Sequence, residues 1–178
     1  MKITQSFEVA RPLVAVWSLF QEIPTVASCM PGAELTEDKG EGLYGGRVGI
    51  KLGPFGASFE GEVRVAPDEA THSGRAEGRG IDKKGGSRSK LEMDYRLHET
   101  TGGTRVDIDA DIQLAGPIAQ FGRVGIITET ANVLIKQFAA NIEALLAPDG
   151  SVQMAPPNAQ LSAMKVAGMV MKSYLKRG

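Results

Sequence analysis

The stretch that decides the fold is residues 89–114, which read SKLEMDYRLHETTGGTRVDIDADIQL. Apolar residues occupy every second position on both sides of the Gly102–Gly103 turn. They are Leu91, Met93, Tyr95 and Leu97 before it and Val106, Ile108, Ala110, Ile112 and Leu114 after it. Because successive strand side chains point to opposite faces, this period predicts antiparallel strands with one dry and one wet face.

The same period two extends outward to earlier parts of the chain. It recurs in GLYGGRVGIKL and FGASFEGEVRV, and a first strand is predicted in ITQSFEVA. Between the hairpins, residues 71–88 also fit strand spacing, but one face would carry Gly74, Ala76, Gly78 and Gly80. Small residues on a dry face leave space beneath a sheet or let it bend.

Helical periodicity appears in two places. Near the start, PLVAVWSLFQEI and then TVASCM predict two short helices. Near the end, residues 118–147 predict one long helix with an apolar stripe. That stripe consists of Ile127, Val133, Leu134, Phe138, Ile142 and Leu145.

The predicted order is one strand, two short helices, about six strands and a long helix. We therefore expect an α+β helix-grip fold, in which a curved antiparallel sheet wraps around the long C-terminal helix, because the dry face needs a cover. Residues 1–147 would form this domain, 148–160 a Pro-rich linker, and 161–178 a basic amphipathic tail helix.

Composition and charge limit the compartment and the kinds of partner that we expect. The chain has one cysteine, a short polar N-terminus and no apolar run of about 20 residues, so we expect a cytoplasmic protein. Net charge is −1, but residues 161–178 hold four basic residues and no acid, which leaves −5 on the rest. An acidic body argues against a nucleic acid partner.

No catalytic or metal-binding pattern stands out. His72 and His98 lack metal-ligand spacing and are expected to be structural residues facing solvent. Cys29 is expected to be a small buried apolar residue. The carboxylates of residues 107, 109 and 111 are expected to form a solvated face opposite Arg88, Lys90 and Arg96. GRGIDKKGGSRSK lacks the order of a phosphate loop and is expected to be a hairpin tip, or else a docking surface.

Four segments together resemble the CoxG family of carbon monoxide dehydrogenase proteins, which belongs to the START-like, polyketide-cyclase-like (SRPBCC) superfamily. They are CMPGAE, YGGRVGIKLGPFGASFEGEV, GRGIDKKGGS and LAGPIAQFGRVGI, the last with Gly116, Pro117, Phe121 and Gly122 as that family has them. The resemblance covers roughly residues 1–147. It implies a helix-grip fold and a non-enzymatic accessory role beside a molybdenum-containing CO dehydrogenase or related hydroxylase.

The resemblance also implies a ligand and a place. The family is implicated in binding a quinone, menaquinone or ubiquinone, in a hydrophobic cavity and in attaching its partner enzyme to the cytoplasmic membrane for electron transfer. The cavity is predicted from large residues on dry faces. These are Trp17, Phe20, Met30, Tyr44, Phe55, Phe59, Met93, Tyr95, Phe121 and Phe138. Each of them could instead be plain core.

The tail is interpreted by itself. On a helix, its apolar and basic residues separate onto different sides, which suits the anionic inner face of the cytoplasmic membrane or a partner protein. The docking residues would be Leu161, Met164, Lys165, Met171, Lys172, Leu175, Lys176 and Arg177. Interior lysines make spanning costly. The alternatives are that the helix packs on its own domain or on a crystal or oligomer neighbour, and that the tail is disordered.

Two other functions stay open. A cyclase, dehydratase or hydrolase acting in the cavity would need an acid or histidine there, and the inferred dry faces carry none. An assembly chaperone would use no ligand.

Overall fold

A computed structural model describes residues 1–122 and 125–147, and the predicted linker and tail lie outside them. Eleven elements follow one another. They are β1 (Lys2–Val9), α1 (Leu13–Gln21), α2 (Ile23–Cys29), β2 (Ala33–Gly40), β3 (Leu43–Leu52), β4 (Phe55–Asp68), β5 (Ser73–Asp82), β6 (Ser87–Thr100), β7 (Gly103–Ala115), α3 (Ala119–Gly122) and α4 (Ile126–Leu145).

The strands form one antiparallel sheet in the order β1-β7-β6-β5-β4-β3-β2. Residues 89–114 lie in the β6–β7 hairpin, with Tyr95 opposite Ile108 and Thr100 opposite Gly103. Helix α4 packs mainly against β1, at one edge of the sheet, and touches β3 only lightly. The helix-grip prediction is confirmed, and among the described residues no helix packs closely on β4 and β5.

Two elements differ from the sequence prediction. Strand β2 was not located, because most of its residues are exposed and alternate little; its pairing with β3 also shifts register twice. The single long helix was wrong: it is divided into α3 and α4. Gly125, which directly precedes α4, has φ +74°, a left-handed conformation that a continuous helix does not adopt.

One half of the space between sheet and helices is filled by side chains, and we call it the packed half. Phe138 of α4 meets Phe7 edge-on at 5.7 Å between ring centroids, and Phe20 lies 6.4 Å from Phe138. Phe20 also packs on Tyr95 at 5.6 Å. Helix α1, which starts after the extended Pro12, contributes Trp17 as well. Such burial accounts for the stable attachment of α1 and α4 to this end.

The predicted stripe of α4 is correct except at Val133. Phe138 and Ile142 are buried, whereas Val133 is 57% exposed. Val133 directly precedes Leu134 and therefore points about 100° away from the stripe.

Candidate ligand cavity

The other half of that space is a cavity of about 400 Å³, which falls within the roughly 300 to 1,000 Å³ typical of ligand sites. We call it the cavity half. Its wall is almost entirely apolar. Helix α4 contributes one face, Ile127, Thr130, Ala131 and Leu134, at the i, i+3, i+4, i+7 spacing of a helical stripe. Aliphatic side chains of the strands and of the segment before α3 supply most of the remainder. They are Ile3, Leu35, Val48, Ile50, Leu52, Val63, Leu91, Ile112, Leu114 and Ile118.

The cavity exists because three neighbouring strands place glycine at the same level. Gly46 of β3 lies opposite Gly61 of β4, and Gly61 lies opposite Gly80 of β5. All three line the cavity, and we call them the glycine row. Ser89 of β6 continues the row opposite Gly80. A row without side chains lowers the concave surface to the level of the backbone.

The row is also tightly built. An ideal Cβ on Gly61 would lie 1.8 Å from the carbonyl oxygen of Arg79, so no larger residue fits there without moving backbone. A Cβ on Gly80 would lie 3.0 Å from the Cβ of Phe59. Gly80 therefore tolerates little more than a methyl group, and that group would occupy cavity space.

Charged residues of the lining have ion-pair partners. Arg47 pairs with Glu34 at 3.2 Å and Lys90 with Glu92 at 2.9 Å. Glu62 accepts a hydrogen bond from Lys39 at 2.6 Å, and this bond together with the lysine charge lowers the pKa of Glu62. Because side chains alternate along a strand, the residues that directly follow Gly46, Gly61 and Ser89 project to the outer face of the sheet. The cavity therefore offers a ligand mostly hydrocarbon.

The β5–β6 hairpin tip contacts the segment before α3, whose Ile118 lines the cavity. The Asp82 carboxylate accepts backbone hydrogen bonds from Lys84 and Gly85 at 3.1 and 3.0 Å, which fixes the tip. The buried Ser87 hydroxyl accepts a hydrogen bond from Ile118 N at 3.1 Å. Gly116 has φ +84°, and a Cβ there would lie 2.5 Å from Gly86 O, so glycine is required for this contact. The prediction of a hairpin tip at GRGIDKKGGSRSK is confirmed.

The ten predicted cavity residues lie in different parts of the domain. Phe59 lines the cavity. Phe55 and Phe121 pack on each other at 4.9 Å in the small cluster beside it, and Tyr44 is half-buried on β3. The remaining six belong to the packed half: Trp17, Phe20, Met30, Met93, Tyr95 and Phe138. For all ten, contact with a ligand stays a prediction.

The aliphatic lining was missed because size was the criterion. Large aromatic residues fill space, so they concentrate where the interior is full. The useful signal was the run of small residues predicted to leave space beneath the sheet or to let it bend. Gly78 and Gly80 of that run line the cavity, whereas Gly74 makes room for the Tyr95 ring. Aligning that run with Gly46 and Gly61 requires the strand register, which local periodicity does not reveal.

Tyr95 carries an unusual buried group. Its hydroxyl has no hydrogen-bond partner within the described residues, and burial raises its pKa. A Cβ on the facing Gly74 would lie 2.2 Å from that hydroxyl, so Gly74 makes room for the ring.

Three expectations about polar residues are refined. His98 pairs with Asp107 at 2.9 Å on the outer face, whereas His72 is half-buried and packs edge-on against Trp17 at 5.2 Å, so it does not simply face solvent. Asp109 accepts a hydrogen bond from Thr4, and Asp111 pairs with the N-terminal amine. Of the three expected basic partners, only Arg96 stands opposite one of these carboxylates, Asp107; Lys90 and Arg88 face Gln113 and Ala115.

Cys29 is 4% exposed, as expected. Asp82, by contrast, corrects the prediction that no acid lies on a dry face: it is 3% exposed and occupies an inward position of β5. It does not line the cavity, and its carboxylate accepts hydrogen bonds from the turn. Within the described residues, no group of three His, Cys, Asp or Glu side chains could hold a metal ion.

A family model for the G-subunit of carbon monoxide dehydrogenase (CoxG) matches residues 6–147. The chain belongs to the CoxG family. The match begins within β1 and ends just after α4, so it covers nearly all of the helix-grip domain. A search of curated proteins finds no significant match.

Solved structures share the fold of this CoxG domain. A conserved protein from Geobacillus kaustophilus has a TM-score of 0.68 at 17% identity, covering 82% of this chain and 97% of its own. The protein TTHA0849 from Thermus thermophilus has 0.61 at 13%, covering 83% and 100%. The ZhuI aromatase/cyclase from Streptomyces sp. R1128 also has 0.61 at 13%, covering 85% and 99%. At such identities the likeness concerns the fold alone.

Proposed function

We propose that this CoxG-family protein binds a lipophilic quinone, menaquinone or ubiquinone, in the cavity half and acts as a non-enzymatic accessory of a molybdenum-containing CO dehydrogenase or related hydroxylase. The observation that carries the proposal is the apolar cavity of about 400 Å³ in a domain matched to the CoxG family. An apolar cavity wall favours a hydrocarbon-rich ligand over a charged one, because burying an unpaired charge is costly.

Extraction tests the ligand directly. The full chain is purified without detergent, its bound lipids are extracted into organic solvent, and the extract is analysed by mass spectrometry. A stoichiometric quinone supports the proposal, and a protein without any bound lipid that also fails to take up added quinone contradicts it. The Gly80→Ala variant is extracted in parallel. Its added methyl group narrows the cavity next to Phe59, so we expect less quinone per protein than in the unaltered chain.

The second part of the proposal concerns location. None of the helices in the part of the chain that the structure describes combines the length and apolarity needed to cross a bilayer. We propose that the basic tail, residues 161–178, brings the protein to the anionic inner face of the cytoplasmic membrane, where a membrane-soluble ligand is available. Each basic residue near an anionic surface contributes about 1 kcal/mol.

Flotation with phosphatidylglycerol vesicles tests this attachment. The full chain is expected to float with the vesicles, and a chain ending at Leu146 is expected to stay unbound. This end point is chosen because it keeps the hydrogen bond from Arg11 Nε to Leu146 O at 3.1 Å. A full-length triple variant, Lys165, Lys172 and Lys176→Gln, should float less than one changed at Lys51, Lys83 and Lys84. Equal flotation of the full and shortened chains would remove the tail from the proposal.

A further inference from the structure

The hydroxyl group of Ser89 stands apart from the other groups of the cavity wall. Ser89 lies on the concave face of β6, opposite Gly80, and an ideal Cβ on Gly80 would lie 3.4 Å from Ser89 Oγ. Among residues 1–122 and 125–147, no side-chain hydrogen bond uses this oxygen, and the oxygen is not sealed off like that of Tyr95. A serine hydroxyl can both donate and accept, so Ser89 offers an unused polar contact inside an apolar space.

The other hydroxyl of the wall is already used. Thr130 Oγ1 donates to Ile126 O at 2.9 Å, one turn back along α4. The nearby Ser87 hydroxyl accepts the Ile118 amide. Ser89 is thus the hydroxyl-bearing side chain of the described wall that a ligand oxygen can reach without breaking a bond of the protein.

The surface beside Ser89 has a defined shape. The glycine row runs from it across three strands, with Phe59 on one side and Leu91 on the other. Backbone at this level accepts a flat group in van der Waals contact, since no side chain rises from Gly46, Gly61 or Gly80.

We propose that Ser89 is the specificity-determining residue of the cavity: its hydroxyl hydrogen-bonds an oxygen carried by a flat ring of the ligand, and the ring lies over the glycine row. The inference rests on the proposed ligand-binding function and adds to it the atom that distinguishes an oxygen-bearing ring from a plain hydrocarbon of the same outline. A ligand oxygen without this partner would be buried unsatisfied, which lowers affinity.

Two probes of matched shape test it: 2,3-dimethyl-1,4-naphthoquinone and 2,3-dimethylnaphthalene. Their affinities for the full chain are measured by displacement of 1-anilinonaphthalene-8-sulfonate. The Ser89→Ala variant should bind the quinone about two- to tenfold more weakly and the hydrocarbon unchanged. Thr130→Val, which removes the other wall hydroxyl, should leave the ratio of the two affinities unchanged. Ser89→Thr keeps a hydroxyl on a β-branched residue suited to a strand and should retain the quinone preference.

The outcomes separate the inference from the function beneath it. If Ser89→Ala binds both probes as the unaltered chain does, Ser89 is not the anchor, while cavity binding stands. If Ser89→Ala and Thr130→Val lose quinone affinity equally, the effect belongs to wall polarity in general and the inference is overturned. If neither probe displaces the dye from the unaltered chain, the proposed cavity function fails and this inference fails with it.

Discussion

The two halves of α4 lie under the same sheet, carry the same apolar stripe and meet opposite surroundings. Toward its C-terminal end, Phe138 and Ile142 are buried among the aromatic residues of the packed half. Toward its N-terminal end, Ile127 and Leu134 face the cavity. The helix therefore does not decide which half is filled.

The difference comes from the sheet. In the packed half, β6 and β7 present Tyr95, Leu97 and Ile108, which belong to the same core cluster as Phe138 and Ile142 of α4. Opposite the cavity half, β3, β4 and β5 present the glycine row. Removing side chains from three adjacent strands creates more space than the neighbouring side chains fill, because packed interiors relax only partly around a void. The cavity therefore results from absent side chains on the sheet, while the apolar stripe of the helix continues along both halves.

The largest effect is expected from truncating the packed half. Phe138→Ala removes the ring that contacts Phe7 and Phe20, and should lower the free energy of unfolding by about 3–5 kcal/mol. Urea denaturation followed by circular dichroism measures it. Leu134→Ala, one turn earlier on α4, should cost clearly less, since the leucine already faces empty space and loses fewer contacts. Equal losses at the two positions would mean that the halves are packed alike.

Thiol reactivity provides a second contrast between the halves. Burial raises the pKa of Cys29 from 9.0 to about 11, an effect that the Ser28 hydrogen bond only partly offsets. At pH 8 its thiolate is then about a hundredfold scarcer than in an ordinary cysteine, so N-ethylmaleimide should react very slowly in the folded protein. A Ser89→Cys thiol in the Cys29→Ala background should react at least about a hundredfold faster, as followed by intact mass.

The same raised pKa gives a stability effect of known sign. Below pH 9 the thiol is protonated in both the folded and unfolded chains, so its contribution is fully present. As pH rises from 9 toward 11, the unfolded thiol ionises first, and folding stability falls. The Cys29→Ala variant should lack this part of the alkaline loss in urea titrations at pH 8 to 11. For the reactivity prediction, comparable N-ethylmaleimide reaction rates of Cys29 and of the Ser89→Cys thiol would contradict the expected difference between the packed half and the cavity half.

The sequence predicts the sheet well because a half-buried strand must alternate, as residues 89–114 do. Strand β2 escaped prediction because an edge strand with little burial has no need to alternate. The break between α3 and α4 was not predicted because the apolar stripe continues on both sides of Gly125. The left-handed φ of Gly125 that ends the helical path is not encoded in the apolar period. The glycine row escaped because Gly46, Gly61 and Gly80 come together only through strand register. Local periodicity therefore predicts elements, while cavities depend on non-local pairing.

The smallest effect on stability is expected at Tyr95. Its hydroxyl is buried in the packed half and has no hydrogen-bond partner within the described residues. Tyr95→Phe removes a desolvated polar atom and keeps the ring on Phe20, so the free energy of unfolding should stay level or rise by up to about 1 kcal/mol. Tyr44 is half-buried on β3, outside the packed half, so Tyr44→Phe should change the free energy of unfolding by less than about 0.5 kcal/mol. Urea denaturation of both variants measures the pair. A clear loss in Tyr95→Phe would show that this hydroxyl has a partner such as bound water, and that the packed half holds a polar site of its own.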